Sequence, residues 1–599
     1  MPRPEGKRDG EILPSLRTLA THGGSEANSA ELQPSWPRGT CMRAIVCVAL
    51  ALLLAVSASR PARAVEPDAP QALITRAEAI RIAVQANLSE KFTTTTNSKK
   101  AEQGALVEYY AVADQPTLWV DEHGLTERGK AVMAEIEQAD DYGLRASDYP
   151  LPKLAEFTGS GPSATQWLAD AELKISYAVL GYARDARGGR MNPSRLSPNL
   201  DPDLVLPNPS EVIESIAIRS DPAAYLRSFQ PDQPQFEALR QKLIELRGGK
   251  TEVSSQPAVI IPDGPLLKLG VVHEQVALLR KRLDLPSDTA DATSFDDHVL
   301  DAVRKFQLAH GSIPDGMVGA GMRQLLNSGG QRPRQVGSTA RIRSVLINME
   351  RWRWLPHDLG SFYVNVNIPE FMLRVMSNGK PIHTTRVVVG KVDKQTPIFS
   401  KDMQEIVFGP FWNVPTSIKV EEIRPYLREE ASWWGGGGWN TAVLQRHDLR
   451  VRYAGRELDP ASIDWNRVDI RTLELFQPPG PTNVLGRVKF VFPNKHDVYM
   501  HDTPQKFLFA NPVRAESHGC MRVQDPDQLA AVLLKEDQNW SQARTMEAVD
   551  TGYDQHITLR QKIPVYISYF TLKVNDDGSI STYEDIYGHD ARMAAALKL

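Results

Sequence analysis

The sequence predicts a multidomain α+β protein: a mainly helical N-terminal region, a small three-helix module, and a mainly antiparallel β domain carrying an insertion. Three observations predict it. Apolar residues recur at three- and four-residue spacing in stretches between Ala72 and about Leu246. A Ser/Pro-containing linker, Gly248 to Gly264, then separates these from a compact helical stretch ending near Asn327. From Ile342 onward the period changes, and alternation of the two-residue kind takes over.

At 599 residues the chain has length for several cores. It is 42% hydrophobic and 24% charged, with a net charge of -4, an ordinary globular composition. The absence of a basic excess argues against nucleic acid, and no acidic tail is present. Residues 1–64 read as an aperiodic polar extension followed by an export signal. Met42-Arg43, the apolar run Ala44 to Val56 and Ala62-Arg63-Ala64 supply a positive start, a short apolar core and a small-x-small cleavage site. The expected mature start is near Val65, with Met42 a candidate initiator and an uncleaved anchor the alternative.

Within residues 65–250, Ile74 to Phe92 and Leu168 to Ala183 carry helical spacing. Leu118-Trp119-Val120 reads as a short extended piece before a helix capped near Thr126. No catalytic constellation appears there. The module spans 265–328, with helices expected over Val276 to Leu283, Asp296 to His310 and Met322 to Leu326, and a turn at Pro314-Asp315-Gly316. Residues 340–599 form the β domain. Strands are expected at Phe362 to Ile368, Phe371 to Val375, Ile382 to Val389, Ile406 to Phe408, Val488 to Phe492 and Val498 to Met500. Asn378-Gly379 signals a hairpin. Asp525-Pro526 starts a helix running to about Lys535. Ile563 to Val574 and Ser579 to Tyr583 read as a closing hairpin.

Of three cysteines, Cys41 and Cys47 precede or lie in the export signal, leaving Cys520 alone in the mature chain. A lone exported cysteine has no internal disulfide to make. The alternatives are an intermolecular bridge, a buried bystander, or a nucleophile. A thiol near its usual pKa of about 8.5 needs a neighbouring base or cation to react near neutrality. His501 and His518 are the nearby candidates. Gly519 permits close backbone approach to a substrate, and amides around Cys520 are candidate oxyanion donors.

The run His501-Asp502-Thr503, a spacer, then Ser517-His518-Gly519-Cys520-Met521-Arg522 resembles the active-site signature of the L,D-transpeptidase family. Glu350 to Pro356, Trp412-Asn413-Val414-Pro415, Val491 to Asn494 and Asp585-Ile586-Tyr587-Gly588 are similar to pieces of its large multidomain Gram-negative periplasmic subgroup. The chain departs from that pattern at Phe476-Gln477, where Arg-Gln is usual. The resemblance makes 65–250 a helical scaffold domain and 265–328 a peptidoglycan-binding-like module. It also makes the insertion 417–482, helical from Lys419 to Glu430, a capping subdomain over the active site.

The resemblance implies a periplasmic cysteine acyltransferase. Cys520 would be the nucleophile and His501 its base, with Ser517, His518, Gly519 and Arg522 shaping the loop or holding a stem carboxylate. Tyr499 and Trp412 are candidate pocket residues, and Trp433, Trp434 and Trp439 candidate substrate grips; each has an alternative role in its own domain's packing. The implied reaction removes the terminal D-Ala of a peptidoglycan tetrapeptide stem and joins the acyl group to a second stem, giving a 3→3 cross-link. Hydrolysis of the same thioester, or an idle wall-binding scaffold, are the rival readings. No metal or phosphate-binding pattern appears, so no cofactor is expected. Expected partners are peptidoglycan stems and glycan, and other wall synthases.

Overall fold

The computed structural model describes residues 74–90, 96–112, 115–157, 159–248, 259–285, 292–309, 315–327, 338–429 and 438–599. The stretch expected to be an export signal, the linker residues 249–258, Pro314, Trp433 and Trp434 lie outside them. Among the described residues, no helix is long and apolar enough to cross a membrane.

The N-terminal region is helical, and its longest helix, Pro162–Gly188, runs through the middle of its apolar core. Leu168, Ile175, Val179, Tyr182 and Ala186 are buried there at helical spacing. Thr126 caps the helix Glu127–Glu137 by accepting from the Gly129 N–H. The buried Glu172 accepts main-chain N–H groups of Leu118, Trp119 and Val120, which fixes the extended piece against the long helix. In the module, helices Glu274–Arg282, Asp297–Ala309 and Ala320–Asn327 enclose a separate core that reaches back to Ile261.

The C-terminal domain is built on β1 (Phe362–Asn367), β2 (Met372–Ser377), β3 (Lys380–Gly390) and β4 (Ser400–Phe408). The insertion follows, with β5 (Trp412–Asn413), β6 (Arg450–Tyr453), β7 (Arg456–Leu458) and β8 (Glu474–Gln477). The chain then returns with β9 (Val488–Val491), β10 (Met500–His501), β11 (Ala515–Ser517), β12 (Met521–Val523) and β13 (Gln555–Ser568). Among the described residues the main sheet runs β11-β3-β12-β10-β9-β4-β13-β1-β2, and β2 also pairs β3, so the long β3 closes the sheet on itself. Pairing is mainly antiparallel; β1–β13, β10–β12 and β11–β3 are parallel. Asn378 and Gly379 take φ of 47° and 76°, the turn that matches strand twist. The insertion folds as its own small sheet, β5-β8-β6-β7, around Leu427, Val451, Trp465 and Leu475.

Several expectations need correction. Ser338–Trp352 is a helix that periodicity did not reveal. Val345 through Glu350 are all buried, because the helix Pro234–Arg247 and the C-terminal domain pack on it from different sides. That buried half carries the polar residues Asn348 and Glu350, so polarity there does not mark the exposed face. Ile563 to Val574 is not one strand: β13 ends at Ser568, and Leu572–Val574 pairs with Ile580–Thr582 in a separate two-stranded sheet. The chain closes with a helix, His589–Leu597, rather than with that hairpin. The helical entry to the insertion stops at Tyr426, where Pro425 breaks the turn and Glu429 bridges to Trp439 instead.

Candidate active site

Two short strands carry the site. β10 and β12 lie parallel, with Met500 opposite Met521 and His501 opposite Arg522. Both methionines are fully buried in the core. Side chains alternate across a strand, so Tyr499, His501, Cys520 and Arg522 share the opposite face. β9 extends the row, since Lys489 stands opposite His501 and Phe490 packs behind Met500.

The His501 Nδ1 faces the Asp502 main-chain carbonyl at 2.5 Å. A carbonyl only accepts, so Nδ1 carries the proton and Nε2 keeps its lone pair. Burial, reinforced by the Arg522 and Lys489 cations, pushes the imidazole pKa down to about 3. The ring is therefore neutral. Burial likewise pushes the Cys520 thiol up, opposed by a Tyr499 main-chain contact, the Lys489 cation, the Tyr499 side chain and Arg522. Burial thus favours the uncharged form of each partner.

Tyr499 lies close to Cys520 and Trp412, and its ring meets His501 edge-on at 5.6 Å. The Cys520 Sγ itself faces the Asp497 main-chain carbonyl at 4.0 Å. Of the candidate pocket residues, Tyr499 thus sits beside Cys520 and Trp412 beside Tyr499. Trp439 instead packs against the insertion's own core. Gln477 is buried there too, accepting from the Val484 N–H and donating to the His447 carbonyl.

The Cys520 loop is held from within and from behind. Ser517 Oγ donates to the Cys520 carbonyl at 2.5 Å and accepts the Gly519 N–H at 3.2 Å. That Gly519 N–H is thereby committed, which removes it from the candidate oxyanion donors. Among the described residues, no acceptor takes the Cys520 N–H. Gly519 sits at φ 111°, a region other residues rarely adopt. Its carbonyl accepts from Thr396 Oγ1 at 2.7 Å, and Thr396 N–H donates to the Tyr587 hydroxyl, which donates to the Gly390 carbonyl at 2.6 Å. His518 turns outward to Glu422 on the insertion, 2.9 Å away, while Lys394 pairs with the adjacent Glu421. Arg522 donates to Gln505 at 2.5 Å rather than pairing with a carboxylate.

Asp502 serves the turn, not the His501 ring. Its carboxylate accepts from Thr503 N–H, Arg487 N–H and Lys506 Nζ at 2.7, 2.9 and 2.6 Å. A Cβ on Gly486 would meet it at 2.3 Å, so only glycine fits there. Sequence reading gave no site role to Lys489, Thr396 or Glu422, and met Tyr587 only as part of a family-like run. The lysine interrupting Val488-Lys489-Phe490-Val491 was the one available signal; the others are assembled by tertiary packing. Among the described residues, no group of three or more His, Cys, Asp or Glu side chains is arranged to hold a metal ion.

The helical region also touches this neighbourhood. Leu200 forms a bridge with Ile398, Asn199 donates to Gln395 at 3.2 Å, and Asp201 pairs with Lys495 and His496, each at 2.8 Å.

Comparison with known proteins gives matching domains. Residues 361–552 match the L,D-transpeptidase catalytic domain, and residues 104–243 match the Scaffold domain. A Haemophilus influenzae protein named "Putative L,D-transpeptidase" is 30% identical over 252 residues, covering 42% of this chain and 49% of its own length. The chain thus spans about half the length of that curated relative. Among solved structures, the L,D-transpeptidase (residues 123–326) from Xylanimonas cellulosilytica shares 14% identity over 51% of this chain and 99% of its own, with a TM-score of 0.16. The L,D-transpeptidase from Mycobacterium smegmatis shares 10% identity over 35% and 58%, also at 0.16. At those scores the superpositions add no weight, and the assignment stands on the domain matches. The chain thus carries an L,D-transpeptidase catalytic domain, which holds His501 and Cys520, with a Scaffold domain ahead of it.

Proposed function

We propose that the protein is a cysteine acyltransferase that makes 3→3 cross-links in peptidoglycan. The observation that carries this reading is the neutral His501, its Nδ1 proton fixed on the Asp502 carbonyl, on the strand beside Cys520. That leaves Nε2 as a base on the face the thiol shares.

His501 Nε2 takes the Cys520 proton as the sulfur attacks the carbonyl joining the stem's third residue to the terminal D-Ala. The Cys520 N–H, without another acceptor among the described residues, receives the oxyanion. Collapse breaks the C–N bond, and imidazolium returns the proton to the departing D-Ala amine. The amine of a second stem then attacks the thioester, loses its proton to His501 and releases the thiol. Thr396 and Tyr587 hold the loop that carries these atoms. In this reading the insertion 417–482 caps the site, 65–250 and 265–328 are separate scaffold and wall-binding-like domains, and the enzyme works in the periplasm after export.

The test is product mass spectrometry on disaccharide-tetrapeptides, with Cys520→Ala alongside. Cross-linked dimers lacking one D-Ala, absent from the control, are expected. Tripeptides alone would replace cross-linking with hydrolysis, and unchanged substrate with both proteins would remove the catalytic reading.

A further inference from the structure

We infer that Lys489 is a specificity-determining residue that receives the free C-terminal carboxylate of the donor peptide. The proposal rests on the acyl-transfer reading above and says which feature of the donor the site reads.

Lys489 stands in cross-strand register with His501, on the face that carries Cys520. Its Nζ lies 4.2 Å from the centroid of the Tyr499 ring, which in turn meets the His501 ring edge-on. Apart from that ring it has no partner: among the described residues, no carboxylate pairs with it. The two carboxylates whose charge it feels, Glu405 and Asp554, are engaged by His556 instead, at 3.0 and 3.4 Å. His556 occupies the same row, opposite Val407, which stands opposite Lys489. The lysine is half-buried, and burial lowers its pKa.

A partly desolvated ammonium without a counter-ion is costly unless a ligand supplies one. The scissile carbonyl must reach Cys520, and the carboxylate of the leaving residue is only a few bonds further on. A cation one strand beyond His501 is placed to meet it. Arg522, on the other side of His501, is already bound to Gln505. The site would then read a chain end, accepting a peptide terminus and rejecting the same peptide extended or capped.

The test uses the full chain carrying Cys520→Ala, so that binding is measured without turnover. Titration calorimetry compares a tetrapeptide ending in D-alanine with one ending in D-alaninamide. The acid should bind about 10-fold tighter or more, the range of a charge-assisted hydrogen bond. Adding Lys489→Met should bring the ratio close to one, and Lys489→Arg should restore part of it. Circular dichroism melts of the three proteins check that they fold alike.

An undiminished ratio in Lys489→Met, no preference in the parent, or no binding of either peptide would overturn the inference. Acid-selective binding that depends on Lys489, together with absent turnover in the product assay, would sustain it and count against the chemistry instead.

Discussion

The strands that form the site have two faces with opposite tasks. Phe490, Met500, Met521 and Val523 point one way into a fully buried core. Their immediate neighbours Lys489, Tyr499, His501, Cys520 and Arg522 point the other way and bear the polar chemistry. No more than one peptide unit separates packing from reactivity. The apolar face fixes the strands in register, and that register places the polar groups. The polar face, by contrast, contains an unpaired cation and a thiol and imidazole both shifted toward neutrality by burial.

Substitutions on each face should separate these roles. Cys520→Ala should lower cross-linking by about 10⁴-fold or more while leaving the melting temperature unchanged. His501→Ala should lower the rate by about 10²–10⁴-fold, read as kcat/KM on tetrapeptides. Met500→Ala, one residue away, should instead cost about 2–5 kcal/mol of stability in denaturant unfolding. Gly486→Ala falls between the two classes. At φ 60° and with the pinned Asp502 in its path, it should cost about 1–3 kcal/mol and move His501 with its turn. The smallest effect belongs to Glu422→Gln, which removes the partner of a part-exposed His518 and should cost under about 1 kcal/mol.

A pH titration sharpens the same contrast. An unfolded histidine gains its proton near pH 6.5, whereas His501 resists it until about pH 3. The unfolded state then binds more protons between those values, so stability present above pH 6.5 is lost as the pH falls toward 3. His501→Gln should flatten that part of the melting-temperature profile. Met500→Ala should shift the profile down without changing its slope there.

The sequence made legible what local spacing can carry. Alternation around Tyr499-Met500-His501 put the histidine at a strand end, and Asn378-Gly379 marked its hairpin. Asp525-Pro526 marked a helix start, observed at Pro526. The helix Ser338–Trp352 was passed over because its buried half carries Asn348, Glu350 and Arg351, whose burial depends on partners elsewhere in the chain. The site roles of Thr396 and Tyr587 were equally hidden, since each acts through a hydrogen bond to a segment far along the chain. Lys489 was visible as an oddity among apolar neighbours, but its meaning depends on two cross-strand registers.

The contacts of the helical region with the C-terminal domain have a consequence for how the chain matures. Arg145 donates to the Leu597 carbonyl across 452 positions, and His496 meets Asp201 across 295. Such non-local closures form late, because the intervening chain must first be ordered. Until the segment around Tyr587 has docked, Thr396 lacks the hydroxyl that its N–H bonds, and the Cys520 loop lacks that support from behind. The loop therefore takes its final geometry only after contacts from far along the chain have closed.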